Sequence, residues 1–242
     1  MARFKKNKKI KSYSKIKFLI KFFNFWIWKF RDLKDFKNNP HLFREFGLTM
    51  FTGRQGAGKT MAMVEHLEQL RLRYPRALIL TNFGYEHETQ AFESWNDLFD
   101  VRNGDEGVIF AIDEIQNEFS TTQSKSFPES LLAEITQQRK QKIKILATSQ
   151  VFTRVAKPLR EQTYEVVECI TVAGRWTFAK CFDADDYNTM IDSSKPDLKL
   201  KMRRKWRKNF IQDNRIRELY DSYAKVERVK RLEYYTREVK SS

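Results

Sequence analysis

Short, nearly continuous apolar runs alternate with stretches of helical spacing through the middle of this chain. Gly47–Thr52 (GLTMFT), Ala77–Asn82 (ALILTN), Gly107–Glu114 (GVIFAIDE) and Lys142–Gln150 (KIKILATSQ) are dense in Leu, Ile, Val and Phe. Runs of this length, closed by polar or acidic residues, read as strands buried on both faces. Between the first two, Lys59–Arg73 places Ala62, Met63, His66, Leu67 and Leu70 near helical spacing, and Tyr74-Pro75 stops the helix. Phe92–Phe99 reads as a helix starting near Thr89 with Trp95 and Phe99 inward. Pro128–Lys140 reads as another, with proline in its first turn and Leu131, Leu132 and Ile135 apolar. Tyr164–Thr171 and Arg175–Phe182 form a predicted hairpin about Ala173-Gly174. Alternating strands and helices predict an α/β fold, a mainly parallel sheet with helices on both faces.

The two ends follow other rhythms. Lys17–Phe30 is mostly Phe, Trp, Ile and Leu, and on a helix Lys17, Lys21 and Asn24 make a narrow polar stripe. At 1.5 Å per residue this stretch spans about 20 Å, short of the roughly 30 Å hydrocarbon core of a bilayer. It also holds Lys21 and Lys29. It is therefore expected to lie in a membrane interface rather than cross it, or to pack its aromatic face on the core or a neighbouring subunit. At the other end Met202, Trp206 and Phe210 repeat at every fourth residue, and Ile216, Leu219, Tyr223 and Val226 continue at three to four. That spacing predicts one or two amphipathic helices. The heptad fails at Lys230 and Glu233, so no long coiled coil is expected.

Charge separates these regions. The 242 residues carry 46 Lys and Arg against 31 Asp and Glu, a net +15. Residues 1–46 hold 14 basic and 3 acidic residues, and residues 195–242 hold 16 and 7, whereas 47–194 is net −5. The expected organisation is a basic, aromatic arm (1–46), an α/β domain (47–194) and a basic helical arm (195–242). Basic arms point to a polyanion, nucleic acid or an anionic membrane surface. Trp206 among Arg203, Arg204, Lys205 and Arg207 suits stacking on single-stranded bases, or simply a solvated basic helix. Two cysteines, Cys169 and Cys181, and no secretory signal fit free thiols in a reducing cytoplasm. His41, His66 and His87 make no metal-ligand pattern.

The chemistry concentrates after the first strand. Gly53-Arg54-Gln55-Gly56-Ala57-Gly58-Lys59-Thr60 matches G-x-x-x-x-G-K-[ST], the phosphate-binding P-loop. Backbone N–H groups curl around phosphates there and end at a helix N-terminus, whose dipole also favours negative charge. The glycines let the backbone approach closely. Lys59 is placed for the β- and γ-phosphates of ATP and Thr60 for Mg²⁺, while Arg54 is expected to be exposed. Val108, Ile109, Phe110 and Ile112 lead to Asp113-Glu114 at a strand end, the Walker B pattern. Asp113 is the expected partner of Thr60 on Mg²⁺, and Glu114 the residue that orients the attacking water. The strand ending in Thr148-Ser149-Gln150 offers Gln150 as a sensor of the γ-phosphate. Arg139 and Arg160 flank that strand, and either is a candidate to act in trans on the developing phosphate charge.

TGRQGAGKT, VIFAIDEIQNEF, QQRKQKIKILATSQ and KPLREQTYEVVEC together resemble the zonula occludens toxin (Zot)-like family, which includes the morphogenesis ATPases of filamentous phages. The resemblance runs from about Leu48 to Phe182. It implies a P-loop NTPase with a RecA/FtsK-like sheet, related to hexameric DNA-pumping motors. It further implies a place at the inner face of the host membrane, where single-stranded DNA is extruded as coat proteins are added. Members typically carry a transmembrane helix after the ATPase domain, and nothing after Phe182 is apolar enough for one. The aromatic N-terminal arm or a membrane partner is expected to replace it.

Two other readings fit the same residues. A soluble DNA translocase or packaging ATPase would bind DNA through the basic arms. A nucleotide-gated scaffold would recruit partners and hydrolyse little, although Asp113-Glu114 speaks against it.

Overall fold

The structure, a computed structural model, describes residues 2–40, 42–118, 129–193 and 202–220. The chain divides into two compact units, Met1–Leu42 and Phe43–Ser242. The first is a single helix, α1 (Ala2–Asn38), which extends well beyond the apolar stretch on both sides. Its side chains from Phe18 to Phe36 are exposed, and rings four residues apart, Phe22–Trp26 and Trp26–Phe30, meet edge to edge or tilted at 6.1 Å. Among the described residues no helix is long and apolar enough to cross a membrane.

The second unit is built on an eight-stranded sheet. Its strands are β1 (Gly47–Thr52), β2 (Leu78–Thr81), β3 (Gln90–Ala91), β4 (Val108–Ile112), β5 (Ile143–Ser149), β6 (Thr163–Val172), β7 (Trp176–Asp183) and β8 (Arg204–Ile211), in the order β3-β2-β4-β5-β1-β6-β7-β8. All neighbours from β3 to β6 are parallel, and β7 and β8 are added antiparallel. The helices are α2 (Lys59–Arg73), α3 (Asp97–Asp100), α4 (Ile115–Glu118), α5 (Glu129–Thr136), α6 (Gln138–Gln141), α7 (Lys157–Glu161), α8 (Ala184–Ser193) and α9 (Asn214–Glu218).

Side chains alternate across the parallel strands, so each strand feeds two cores. On one face Met50, Phe110 and Ile145 pack with Phe152 and Tyr187; on the other Phe51, Ile109 and Leu146 pack under Met63, Leu67 and Leu70 of α2. Phe43 opens the unit by filling the space beside Gly107. Gly107 has φ +76, and a Cβ there would lie 2.1 Å from the Phe43 ring.

The central strands, α2 and the β6–β7 hairpin follow the sequence pattern closely. Three expectations do not. The Phe92–Phe99 helix is confined to Asp97–Asp100, and Gln90–Ala91 is instead a short edge strand. The Asp97 carboxylate accepts from the backbone N–H groups of Glu93 and Ser94, holding that backbone in a turn. The Pro128–Lys140 helix is two helices, α5 and α6, and Pro128 lies outside the described residues. The largest correction is at the C-terminus. Arg204–Ile211 is an edge strand of the main sheet, not an amphipathic helix, and only Asn214–Glu218 is helical after it. Tyr223 and Val226, with the rest of residues 221–242, lie outside the described residues. Trp206 is correspondingly no free stacking platform. Its ring stacks on His66 at 5.9 Å and packs against the second core.

Candidate active site

Placing β5 between β1 and β4 brings three strand ends side by side. Gly53 follows β1, Gln150 follows β5, and Asp113-Glu114 follow β4. The loop after β1 closes on itself, with Ala57 N–H donating to Arg54 O at 3.0 Å and Lys59 Nζ donating to the same carbonyl at 3.1 Å. Gly58 caps α2 with φ 77° and ψ 25° and offers no side chain to the first-turn N–H groups. Those donors therefore face out from the N-terminus of a fifteen-residue helix, the arrangement that suits an anion. Only glycine fits at 58: besides the left-handed φ, a Cβ would lie 2.3 Å from Thr171 Oγ1.

Thr60 Oγ1 donates to Asp113 Oδ1 at 2.9 Å, and Thr148 Oγ1 donates to the same oxygen at 2.7 Å. Thr148 also accepts the Glu114 N–H at 2.8 Å, so one buried hydroxyl fixes both acidic residues. The Asn82 amide clamps the Asp113 backbone from the other side, donating to its carbonyl at 3.2 Å and accepting from its N–H at 2.7 Å. Glu114 turns the chain with φ +53°, a region costly for a residue with a side chain. Its carboxylate accepts from Gln150 Nε2 at 3.3 Å and from Asn117 Nδ2 at 3.1 Å. The converging hydroxyl and carboxylate of Thr60 and Asp113 are hard oxygen donors of the kind Mg²⁺ takes, so the residues present fit that ion.

The loop is held from behind by a polar chain. Thr171 Oγ1 donates to Ala57 O at 3.0 Å and therefore accepts from Thr177, 2.8 Å away, which in turn accepts from Gln212 Nε2 at 2.8 Å. Gln212, just after β8, ties the C-terminal edge of the sheet to the loop. Beside the loop lies a cavity of about 550 Å³ walled by residues 52–57, by Glu168–Thr171 of β6 and by Tyr187 of α8. The Tyr187 hydroxyl donates to Glu168 Oε1 at 3.0 Å, and burial pushes its pKa above the usual phenol range.

Of the residues expected from sequence, the structure brings together the loop 53–60, Asp113, Glu114 and Gln150. It does not bring the two arginines to the loop of their own chain. Arg139 lies 5.4 Å over the Phe46 ring, at the amino edge of β1 and so a strand's length, about 20 Å, from the P-loop. Arg160 lies 6.0 Å over Phe152, on the short helix leading into β6. Sequence reading missed Asn82, Thr148 and Thr171 as site residues. For the first two the signal was a polar residue at the carboxyl end of a buried strand beside Walker B. Thr171, in an ordinary hairpin strand, gave none. Cys169 and Cys181 are free and buried on adjacent strands, each opposite another residue, and burial raises the Cys169 thiol to about 12.

No protein-family model matches the chain, and no curated protein matches it in sequence. Solved structures do. The N-terminal domain of zonular occludens toxin from Neisseria meningitidis is 18% identical with a TM-score of 0.53, over 73% of this chain and 99% of that one. The genome packaging NTPase B204 from Sulfolobus turreted icosahedral virus 2, in complex with ATP-gammaS, is 10% identical with a TM-score of 0.45, over 58% of this chain and 93% of that one. The first likeness is one of fold, and with the sheet order and the loop after β1 it makes the larger unit of this chain a P-loop NTPase fold similar to that toxin domain.

Proposed function

We propose that this chain is an ATP-hydrolysing motor for the assembly and export of a filamentous phage, moving single-stranded DNA at the inner face of the host membrane. The observation that carries the hydrolytic part is the joint placement of Thr60, Asp113, Thr148, Glu114 and Gln150 around one P-loop. A pocket that only binds nucleotide has no use for a carboxylate held in a left-handed turn and contacted by a polar side chain from the neighbouring strand.

In this reading the N–H groups of residues 54–60 and Lys59 Nζ hold the phosphates of ATP, and the cavity beside β6 takes the nucleoside. Thr60 and Asp113 would hold Mg²⁺, which when bound would supply positive charge against the phosphates. Glu114 orients the attacking water and accepts its proton, while Gln150 keeps the Glu114 carboxylate aimed. Arg139 or Arg160 of a neighbouring subunit stabilises the developing charge, in a ring of subunits that is expected to be hexameric. Coat proteins and an anionic membrane surface, or a membrane partner, complete the assembly.

Phosphate release and binding of a fluorescent ATP analogue test this directly. Glu114→Gln should lower turnover by about a hundredfold or more and keep binding, whereas Lys59→Ala should lose both. Turnover at the wild-type rate in Glu114→Gln would refute the assignment. A second reading, a soluble DNA translocase or packaging ATPase, is favoured by the incorporation of basic β8 into the catalytic sheet. It predicts DNA-stimulated hydrolysis with no need for α1.

A further inference from the structure

The face of the sheet that carries Tyr187 is covered at one end and open at the other. Near the start of β6, Val166 and Phe182 lie in the core under Tyr187. Toward the carboxyl end of β6 the covering stops. Ile170 is 56% exposed, Val172 50%, Trp176 46% and Ile211 54%. Cross-strand partners share a face, so the register sets these residues in adjacent rows. One row is Val172–Trp176–Ile211, the next Ile170–Phe178–Asn209, the next Glu168–Lys180–Arg207.

The patch is built rather than merely apolar. The Trp176 and Phe178 rings sit 4.9 Å apart with their planes 36° from each other. The Trp176 indole N–H donates to Asn209 Oδ1 at 3.2 Å across the strands, which fixes the ring on the surface. One strand step beyond Phe178, about 7 Å away, Lys180 and Arg207 stand side by side and exposed, and among the described residues neither makes an ion pair. Fixed rings beside this pair of cations complement alternating bases and phosphates, while Glu168, at the β6 end of their row, accepts from the Tyr187 hydroxyl. A purely hydrophobic partner would leave those cations desolvated and unmatched.

We propose that this open face of β6, β7 and β8, centred on Trp176 and Phe178, binds single-stranded nucleic acid. The inference deepens the reading of the chain as a DNA-handling ATPase and rests on it. Bases stack on the two rings, and Lys180 and Arg207 take the backbone phosphates. The surface is joined to the nucleotide loop by β6 itself: Ile170 lines both the face and the cavity, and its neighbour Thr171 holds Ala57.

Fluorescence anisotropy of a labelled oligo-dT with the full-length protein, across a salt series and without ATP, tests the assignment. Trp176→Ala should weaken binding about tenfold, and Trp176→Phe should restore most of it. Lys180→Ala and Arg207→Ala should each reduce the slope of log affinity against log salt by about 0.7. Absence of binding by the wild-type protein at low salt overturns the proposal, as do variants whose affinity and salt slope match wild type. So does a Trp176→Ala protein that dissociates in sedimentation while binding the oligonucleotide normally, which would make the face a contact between copies. Basal ATP turnover, measured on the same proteins, separates the two readings. It should be unchanged in all of these variants. Turnover with unaltered DNA binding in the variants sinks this proposal alone, and DNA binding without turnover sinks the motor.

Discussion

At the scale of single residues, Thr148 is the hinge of the acidic site. Its hydroxyl donates to Asp113 and accepts from the Glu114 amide, and it is fully buried. Thr148→Val keeps the shape and deletes both bonds, so it should cost about 2 kcal/mol of stability. ATP turnover should fall at least about tenfold, because the geometry of both carboxylates loosens. Thr148→Ser should recover both, read by urea unfolding and steady-state kinetics. A second residue acts through its proton. His66 lies between Phe51 and Trp206, and burial, helped by Lys208, Lys144 and Arg73, lowers its pKa from 6.5 to about 3. The unfolded chain therefore takes up the proton first. Above pH 6.5 the group is neutral in both states and contributes nothing; as pH falls from 6.5 toward 3 it destabilises the fold progressively. Between pH 7 and 5 this amounts to about 2 kcal/mol. His66→Phe should flatten the stability curve over that interval, where the carboxylates contribute little, and an unchanged curve would show that the folded chain tolerates the imidazolium.

Elements show where the sequence was readable and where its signal was degenerate. β1, α2, β4 and β5 were legible because burial on two faces, or on one stripe of a fifteen-residue helix, leaves an unambiguous run. Lys59 was legible from the glycine spacing of the loop, and Asp113, Glu114 and Gln150 because the ends of buried strands locate them. β8 was not. Trp206 and Phe210 are four apart, and four residues is close to one helical turn and also two full strand periods. Their common face against α2 is compatible with either element. Only pairing with β7 decides, and pairing is a long-range fact that no local spacing encodes. Trp95 and Phe99 repeat the ambiguity, and there the Asp97 carboxylate decides against a longer helix. The strand makes a distinct prediction. In an antiparallel edge strand alternate N–H groups face the partner and the others face solvent. Native-state hydrogen exchange across 204–211 should therefore show every second amide protected. Consecutive protection would restore the helix. Trp206→Ala should cost roughly 2–3 kcal/mol through its lost packing on the second core, and Arg207→Ala, on the open face, under about 0.5.

For the whole molecule, the question is what the two units do for each other. Among the described residues, the buried members of the two cores all lie between Phe43 and Leu219, so the P-loop unit is expected to fold without α1. α1, at 37 residues, is about 55 Å long and leaves Phe, Trp, Ile and Leu side chains exposed from Phe18 to Phe36. Lysines of residues 5–17 precede that stretch in the sequence. An exposed aromatic helix with a cationic flank gains both apolar burial and attraction to anionic headgroups when it lies in a membrane interface. A chain starting at Leu42 should therefore unfold at the same temperature as the full chain and turn over ATP at the same basal rate. The full chain should float with vesicles containing anionic lipid, and the shortened one should not. High salt should weaken the flotation without abolishing it, since only the lysine contribution is screened. Flotation of both proteins would move membrane contact to the basic sheet edge. Flotation of neither would favour the soluble translocase, with α1 then serving a protein partner, and a lowered melting temperature would mean that α1 is part of the fold it precedes.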